Sequence, residues 1–74
     1  MERRPLMEIL EDMAGTDKEL DLVIQGEGAP IEVRNVVSVE PLTSSAGIRI
    51  ETRQNYIWVD AGHVSAAWQV RTDL

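Results

Sequence analysis

The side chains able to do chemistry are few and far apart. His63 is the single histidine. Asp60 stands three positions before it and Ser65 two positions after it. A nucleophilic triad needs serine and histidine within hydrogen-bond reach, an acid that orients the imidazole, and donors for an oxyanion. Ser65 and His63 open one short strand with no oxyanion donors in view, so His63 reads as a turn residue and the chain as a non-enzyme. Asp17, Glu19 and Asp21 alternate as a calcium loop begins, but such a loop needs glycine at its sixth position and an acid at its twelfth. Those places hold Leu22 and Gly28. Gly26-Glu27-Gly28 could pass for a phosphate loop, yet it leads into Pro30 and a valine-rich run rather than a helix N-terminus. It reads as a hairpin turn. The chain has no cysteine, hence no disulfide and no thiolate ligand. Neither a metal nor a cofactor is expected.

The remaining candidates are groups that bind. Tyr56 and Trp58 alternate along one run, with Arg49 and Arg53 on the run before it. Aromatic side chains beside arginine anchor protein interfaces. They could also stack single-stranded bases, or Trp58 could be core beneath a helix. Trp68 shares a face with Val64 and Val70 and reads as core. A second group is Glu8, Glu11 and Asp12, which lie off the apolar stripe of an N-terminal helix and would steer a basic partner.

These groups must be positioned by a short helix and a set of strands. Pro5–Ala14 reads as the helix, with Leu6, Ile9, Leu10 and Met13 on one stripe and Gly15 at a left-handed cap. From Glu19 the apolar period falls to two. Strands are expected over about 19–25, 31–40, 47–53, 56–60 and 64–70. A bulge or strong bend near Arg34–Val37 accounts for the adjacent Val36 and Val37. If Gln54-Asn55 is the turn of the clearest hairpin, Thr52 faces Ile57 and Glu51 faces Trp58. Ile48, Ile50, Thr52, Ile57 and Val59 then point inward, and Arg49, Glu51, Arg53, Tyr56, Trp58 and Asp60 outward. Asp60–His63 reads as a tight turn or one turn of 3₁₀ helix, and Arg71–Leu74 as a frayed end. The class is mainly β (α+β), a helix followed by a five-stranded, strongly bent antiparallel sheet or small barrel.

The N-terminal helix, the long bent second strand and the ending Tyr56-Ile57-Trp58-Val59-Asp60-Ala61-Gly62-His63-Val64 resemble the Sm-like small β-barrel, a relative of the Src-homology-3-like barrels. The resemblance covers Pro5 to Val70. It implies a fourth strand, a one-turn 3₁₀ link and a short fifth strand at that ending. Sm-like proteins that bind RNA carry basic or polar residues in the link, where this chain has Asp60, Ala61, Gly62 and His63. An acidic Sm-like chain with an N-terminal helix is similar to the Rof-type inhibitors of the transcription terminator Rho. That similarity implies a regulatory protein-binding role, in which acidic residues meet a basic nucleic-acid-binding surface.

Composition sets the limits. Seventy-four residues with 43% apolar content make one small domain with a thin core. The net charge of -6 and a pI near 4.5 argue against a nucleic-acid partner. That charge is local: Leu6–Glu32 holds eight acids and one lysine, whereas Val33–Leu74 holds four acids and four arginines. No run is long and apolar enough for a signal peptide or a membrane span, so a cytoplasmic protein is expected. The expected function is a small acidic adaptor acting by contact with another protein or with itself, as a homodimer or higher oligomer. The alternative is an Sm-like RNA-binding protein with a neutral arginine and aromatic face.

Overall fold

The computed structural model describes residues 1–71. Of the frayed end expected at Arg71–Leu74, residues 72–74 lie outside the described residues. The elements are α1 (Arg3–Met13), β1 (Glu19–Ile24), β2 (Ile31–Arg34), β3 (Val36–Pro41), β4 (Gly47–Thr52), β5 (Tyr56–Asp60), a 3₁₀ turn (Ala61–His63) and β6 (Val64–Gln69). No helix among the described residues is long and apolar enough to cross a membrane.

Helix α1 starts two residues before Pro5. The first helical turn has no intrahelical acceptors for its N–H groups, so Pro5 is tolerated there. Two contacts hold this start in place. The N-terminal ammonium donates to the Val64 carbonyl at 2.9 Å, and the Arg3 guanidinium reaches the carbonyls of Leu42, Ser44 and Gly47. Leu6, Leu10 and Met13 are buried, while Ile9 falls on the rim of the stripe and stays exposed. Gly15 is left-handed as expected (φ 78), but its N–H donates to Val36 O at 2.9 Å rather than back into the helix. The helix end is thereby tied to β3.

The strands form two three-stranded antiparallel sheets, ordered β2-β1-β6 and β3-β4-β5, and not a closed barrel. The expected second strand is divided at Asn35, whose left-handed backbone (φ 57) interrupts the ladder and makes six strands of five. Asparagine tolerates that conformation better than any branched residue. Immediately beyond, Val36 pairs with Thr52 and Ser38 with Glu51. Val37 is the extra residue of a bulge, so the bend lies where the adjacent valines pointed.

The β4–β5 hairpin corrects one expectation. Its register pairs Arg49 with Trp58, Ile50 with Ile57 and Glu51 with Tyr56, two residues from the expected pairing. Thr52 is the cause. Its buried hydroxyl accepts from the N–H groups of Gln54 and Asn55 and donates to the Asn55 carbonyl. Thr52 thus closes the turn instead of extending the ladder. A shift of two preserves the faces. Ile48, Ile50 and Thr52 are buried, and the outward set is as expected.

One apolar core joins the layers: Leu6, Leu10 and Met13 from α1, Leu20 and Leu22 from β1, Val33, Val36, Ile48, Ile50, Ala61 and Val64. Ile57 and Val59 of β5 pack against it but remain only half-buried.

Candidate functional site

The outer face of β3-β4-β5 carries the aromatic group. Register places Glu40, Arg49 and Trp58 in one row across the three strands, and Ser38, Glu51 and Tyr56 in the next. Within these rows Arg49 donates to Glu40 at 3.0 Å, and Ser38 Oγ donates to Glu51 at 3.2 Å. The Arg49 guanidinium also lies 4.8 Å from the centre of the Tyr56 ring. That distance is within cation–π range. Tyr56 and Trp58 are tilted at 36° with ring centres 6.2 Å apart. Arginine is thus pinned from one side by a carboxylate while its guanidinium carbon lies over the phenol ring.

Tyr56 is 56% exposed and Trp58 62%. The choice left open for Trp58 falls away from core, because α1 packs on the inner side, chiefly against β3. Val37, pushed out by its bulge, is also exposed and joins Glu51, Arg53 and Tyr56 around a shallow hollow of about 430 Å³. Arg53 stands at the hairpin tip between this hollow and a second one of about 460 Å³, shared with Gly15, Thr16 and Asp17.

The acidic candidates are elsewhere. Glu8, Glu11 and Asp12 are exposed on α1. Glu8 and Glu11 line a separate hollow with Arg3, Arg4, Met7 and Pro41. The two expected groups are therefore separate surfaces.

Trp68 corrects a second expectation: it is 46% exposed. Ile24 pairs with Val64 but Val23 with Ala66, so Ser65 is the extra residue of a bulge in β6. Val64 turns inward, and Ala66 and Trp68 turn outward beside Val23 and Asp21. The hydroxyl of Ser65 donates to Val23 O at 3.2 Å, which holds the bulge. His63 belongs to the 3₁₀ turn, where its carbonyl accepts from Gln25 N–H at 2.7 Å. Asp60 caps that turn, accepting from Gly62 N–H at 2.8 Å.

Trp68 lies beside a carboxylate group that alternation alone did not reveal. Glu19, Asp21 and Glu32 bring one oxygen each within 4.8 Å of one another on the outer face of β2-β1-β6. Arg34 supplies the counter-charge, bridging Glu19 and, at 3.3 Å, Glu32. Its hydrogen bond holds the Glu19 carboxyl below its ordinary range. Asp21 goes the other way. Partial burial raises it first, and the charges of Glu19 and Glu32 add to the effect. One Asp21 oxygen is buried without a partner. The trio could offer three oxygens to a cation, but Arg34 already stands in that role.

No family model matches the chain, and neither a curated protein nor a solved structure is significantly similar to it.

Proposed function

We propose that the chain is a non-enzymatic protein-binding module that works through the outer face and free edge of β5. One observation carries this reading: two large aromatic side chains, each more than half exposed, sit on the terminal strand of a sheet, with Tyr56 braced by Arg49. Leaving them in water forgoes burial that a partner would restore, and a pre-braced aromatic loses little freedom on binding. An edge strand also offers unpaired backbone groups to an incoming chain. The acids of α1 form a second surface that steers a basic partner, the role implied by the similarity to Rof-type inhibitors.

Single-stranded RNA is the second reading, because aromatics beside arginine also stack bases. Its electrostatic support is thin, since Arg49 is already paired with Glu40.

A photo-crosslinker at position 56 separates the two in cells. Protein adducts that vanish when Trp58→Lys is added support the protein-binding reading. An RNA adduct, together with a low-salt mobility shift, favours the alternative. Absence of any protein adduct, including one with the chain itself, overturns the proposal.

A further inference from the structure

Among the described residues each three-stranded sheet ends on two edge strands, β2 and β6 in one and β3 and β5 in the other, with β2 and β3 the two halves of one bent strand divided at Asn35. Which backbone groups these edges present follows from the alternation of antiparallel ladders. At one end of β5, Thr52 N–H donates to Asn55 O at 2.8 Å; at the other, Ala61 N–H donates to Ala46 O at 2.8 Å. Both fix the same phase. Ile57 and Val59 turn their N–H and C=O toward β4. Tyr56, Trp58 and Asp60 turn theirs outward.

We infer that a second copy of the chain seats on this edge, β5 against β5 in antiparallel array with Trp58 opposite Trp58 on the two-fold axis. The inference deepens the protein-binding reading and rests on it. Of the symmetric registers, this one alone pairs all three outward residues of both strands. Tyr56 then faces Asp60 of the partner copy, a phenol beside a carboxylate, and no like charges stand directly opposite. Beneath the seam, Ile57 meets Val59 of the other copy, which covers the two inward residues the monomer leaves half-buried. The charge distribution favours the same edge. Most of the acid-rich segment, α1 and β1, packs on strands other than β5, and Glu32 of β2, which lines a hollow with Ile57, is paired with Arg34. The β6 edge borders the Glu19, Asp21 and Glu32 carboxylates through Trp68, which pairs with Asp21.

The contact is small. Four aromatic side chains, each a little over half exposed, offer on the order of 500 Å². With ten residues of paired backbone the total stays below about 1,200 Å², in the weak and transient class. A dissociation constant on the order of 10–100 μM is expected.

Sedimentation of the whole chain, from well below to about tenfold above that range, tests this. The expected result is a monomer–dimer equilibrium with no larger species. Trp58→Lys, which places like charges on the axis, should stay folded by circular dichroism and weaken association at least about tenfold. The register has its own test, helped by the absence of native cysteine. Mixed Tyr56→Cys and Asp60→Cys chains should cross-link mainly with each other on mild oxidation, since paired positions lie about 5.5 Å apart. A monomer at every concentration overturns the inference, as does a dimer that survives Trp58→Lys. So do larger assemblies stopped by Ala67→Pro, which would mean that β5 pairs with β6 of the next copy. In each case adducts to other proteins at position 56 would leave the protein-binding reading standing.

Discussion

Trp58 and Leu10 provide a comparison in which size and burial give opposite answers. Trp58 is much the larger side chain, but it is 62% exposed, whereas Leu10 is fully buried. Tryptophan offers roughly 250 Å², and a little over a third of it is covered, or about 95 Å². At about 25 cal/mol/Å² this is worth about 2.4 kcal/mol as an upper figure. A compact denatured chain and the retained Cβ reduce the cost of Trp58→Ala to about 1–2 kcal/mol. Leu10→Ala removes buried methyl groups and leaves a cavity between α1 and the sheets, for about 3–4 kcal/mol. A chain this short has about 4–11 kcal/mol of stability in total, so Leu10→Ala takes a large share of it. Urea unfolding followed by circular dichroism, at a concentration low enough to keep the chain monomeric, reads both. The expected order is Leu10→Ala costlier than Trp58→Ala. A loss at Trp58 equal to or above that at Leu10 would place Trp58 in the core and remove the basis for a binding face. Repeating the Trp58→Ala measurement at high protein concentration should enlarge its apparent cost, because the wild type alone would then gain stability from pairing.

Three other changes have outcomes set by the structure. Gly47→Ala should cost about 1–3 kcal/mol in urea unfolding, because a Cβ there would lie 2.5 Å from Ser44 Oγ and 3.1 Å from Leu42 Cβ. Thr52→Val keeps the shape but strips the turn of the hydroxyl that satisfies Gln54 and Asn55, and should cost about 1–3 kcal/mol with the loss visible in hairpin amide exchange. Asp21→Asn and Glu19→Gln should have opposite signs when melting temperature is followed against pH. The raised Asp21 carboxyl destabilises the fold once ionised, so Asp21→Asn should raise the melting temperature at neutral pH, with the gain shrinking as pH falls toward about 4. The lowered Glu19 carboxyl stabilises the fold when ionised, so Glu19→Gln should lower the melting temperature at neutral pH, with the loss shrinking under acid.

Alternation and turn chemistry made the elements legible, because each needs only neighbouring residues. Leu6, Leu10 and Met13 defined a buried helix stripe, and the Ile48–Val59 alternation assigned both faces of the hairpin even though the register was displaced by two. Parity survives such a shift; partner identity does not. The parts that stayed hidden depend on single residues whose side chains bond to backbone. Thr52 is a buried threonine that closes a turn, and nothing in an apolar–polar pattern separates that from a threonine within a strand. Asn35 divides a strand through its own dihedral, not through any change in composition. Ser65 reverses the phase of β6, and Trp68 moved from expected core to surface for that reason alone. The Glu19, Asp21 and Glu32 group needed the β1–β2 pairing to exist. Arg49 against Tyr56 was legible only in part: both residues were assigned outward, but their contact depends on the true register.

The sign of salt dependence follows from where the chain keeps its charge, and it separates the two readings of the β5 face. The molecule measures 34 × 25 × 21 Å. At physiological ionic strength the screening length is about 8 Å, so acids on α1 and β1 act only weakly on a partner seated at β5. At low salt that screening is relaxed, and two copies of net charge -6 repel as whole bodies. Added salt should therefore strengthen self-association modestly until the seam's own contacts set the affinity. Phosphate contacts behave in the opposite way, because neutralised backbone charges release counterions and binding falls steeply as salt rises. A basic protein docked on Glu8, Glu11 and Asp12 would also weaken with salt, but it would be indifferent to Trp58→Lys. The two observables together identify the surface in use: strengthening with salt and loss with Trp58→Lys belong to the β5 seam, weakening with salt and insensitivity to Trp58→Lys to the acidic helix. Weakening with salt and dependence on Trp58 would return the aromatic face to nucleic acid.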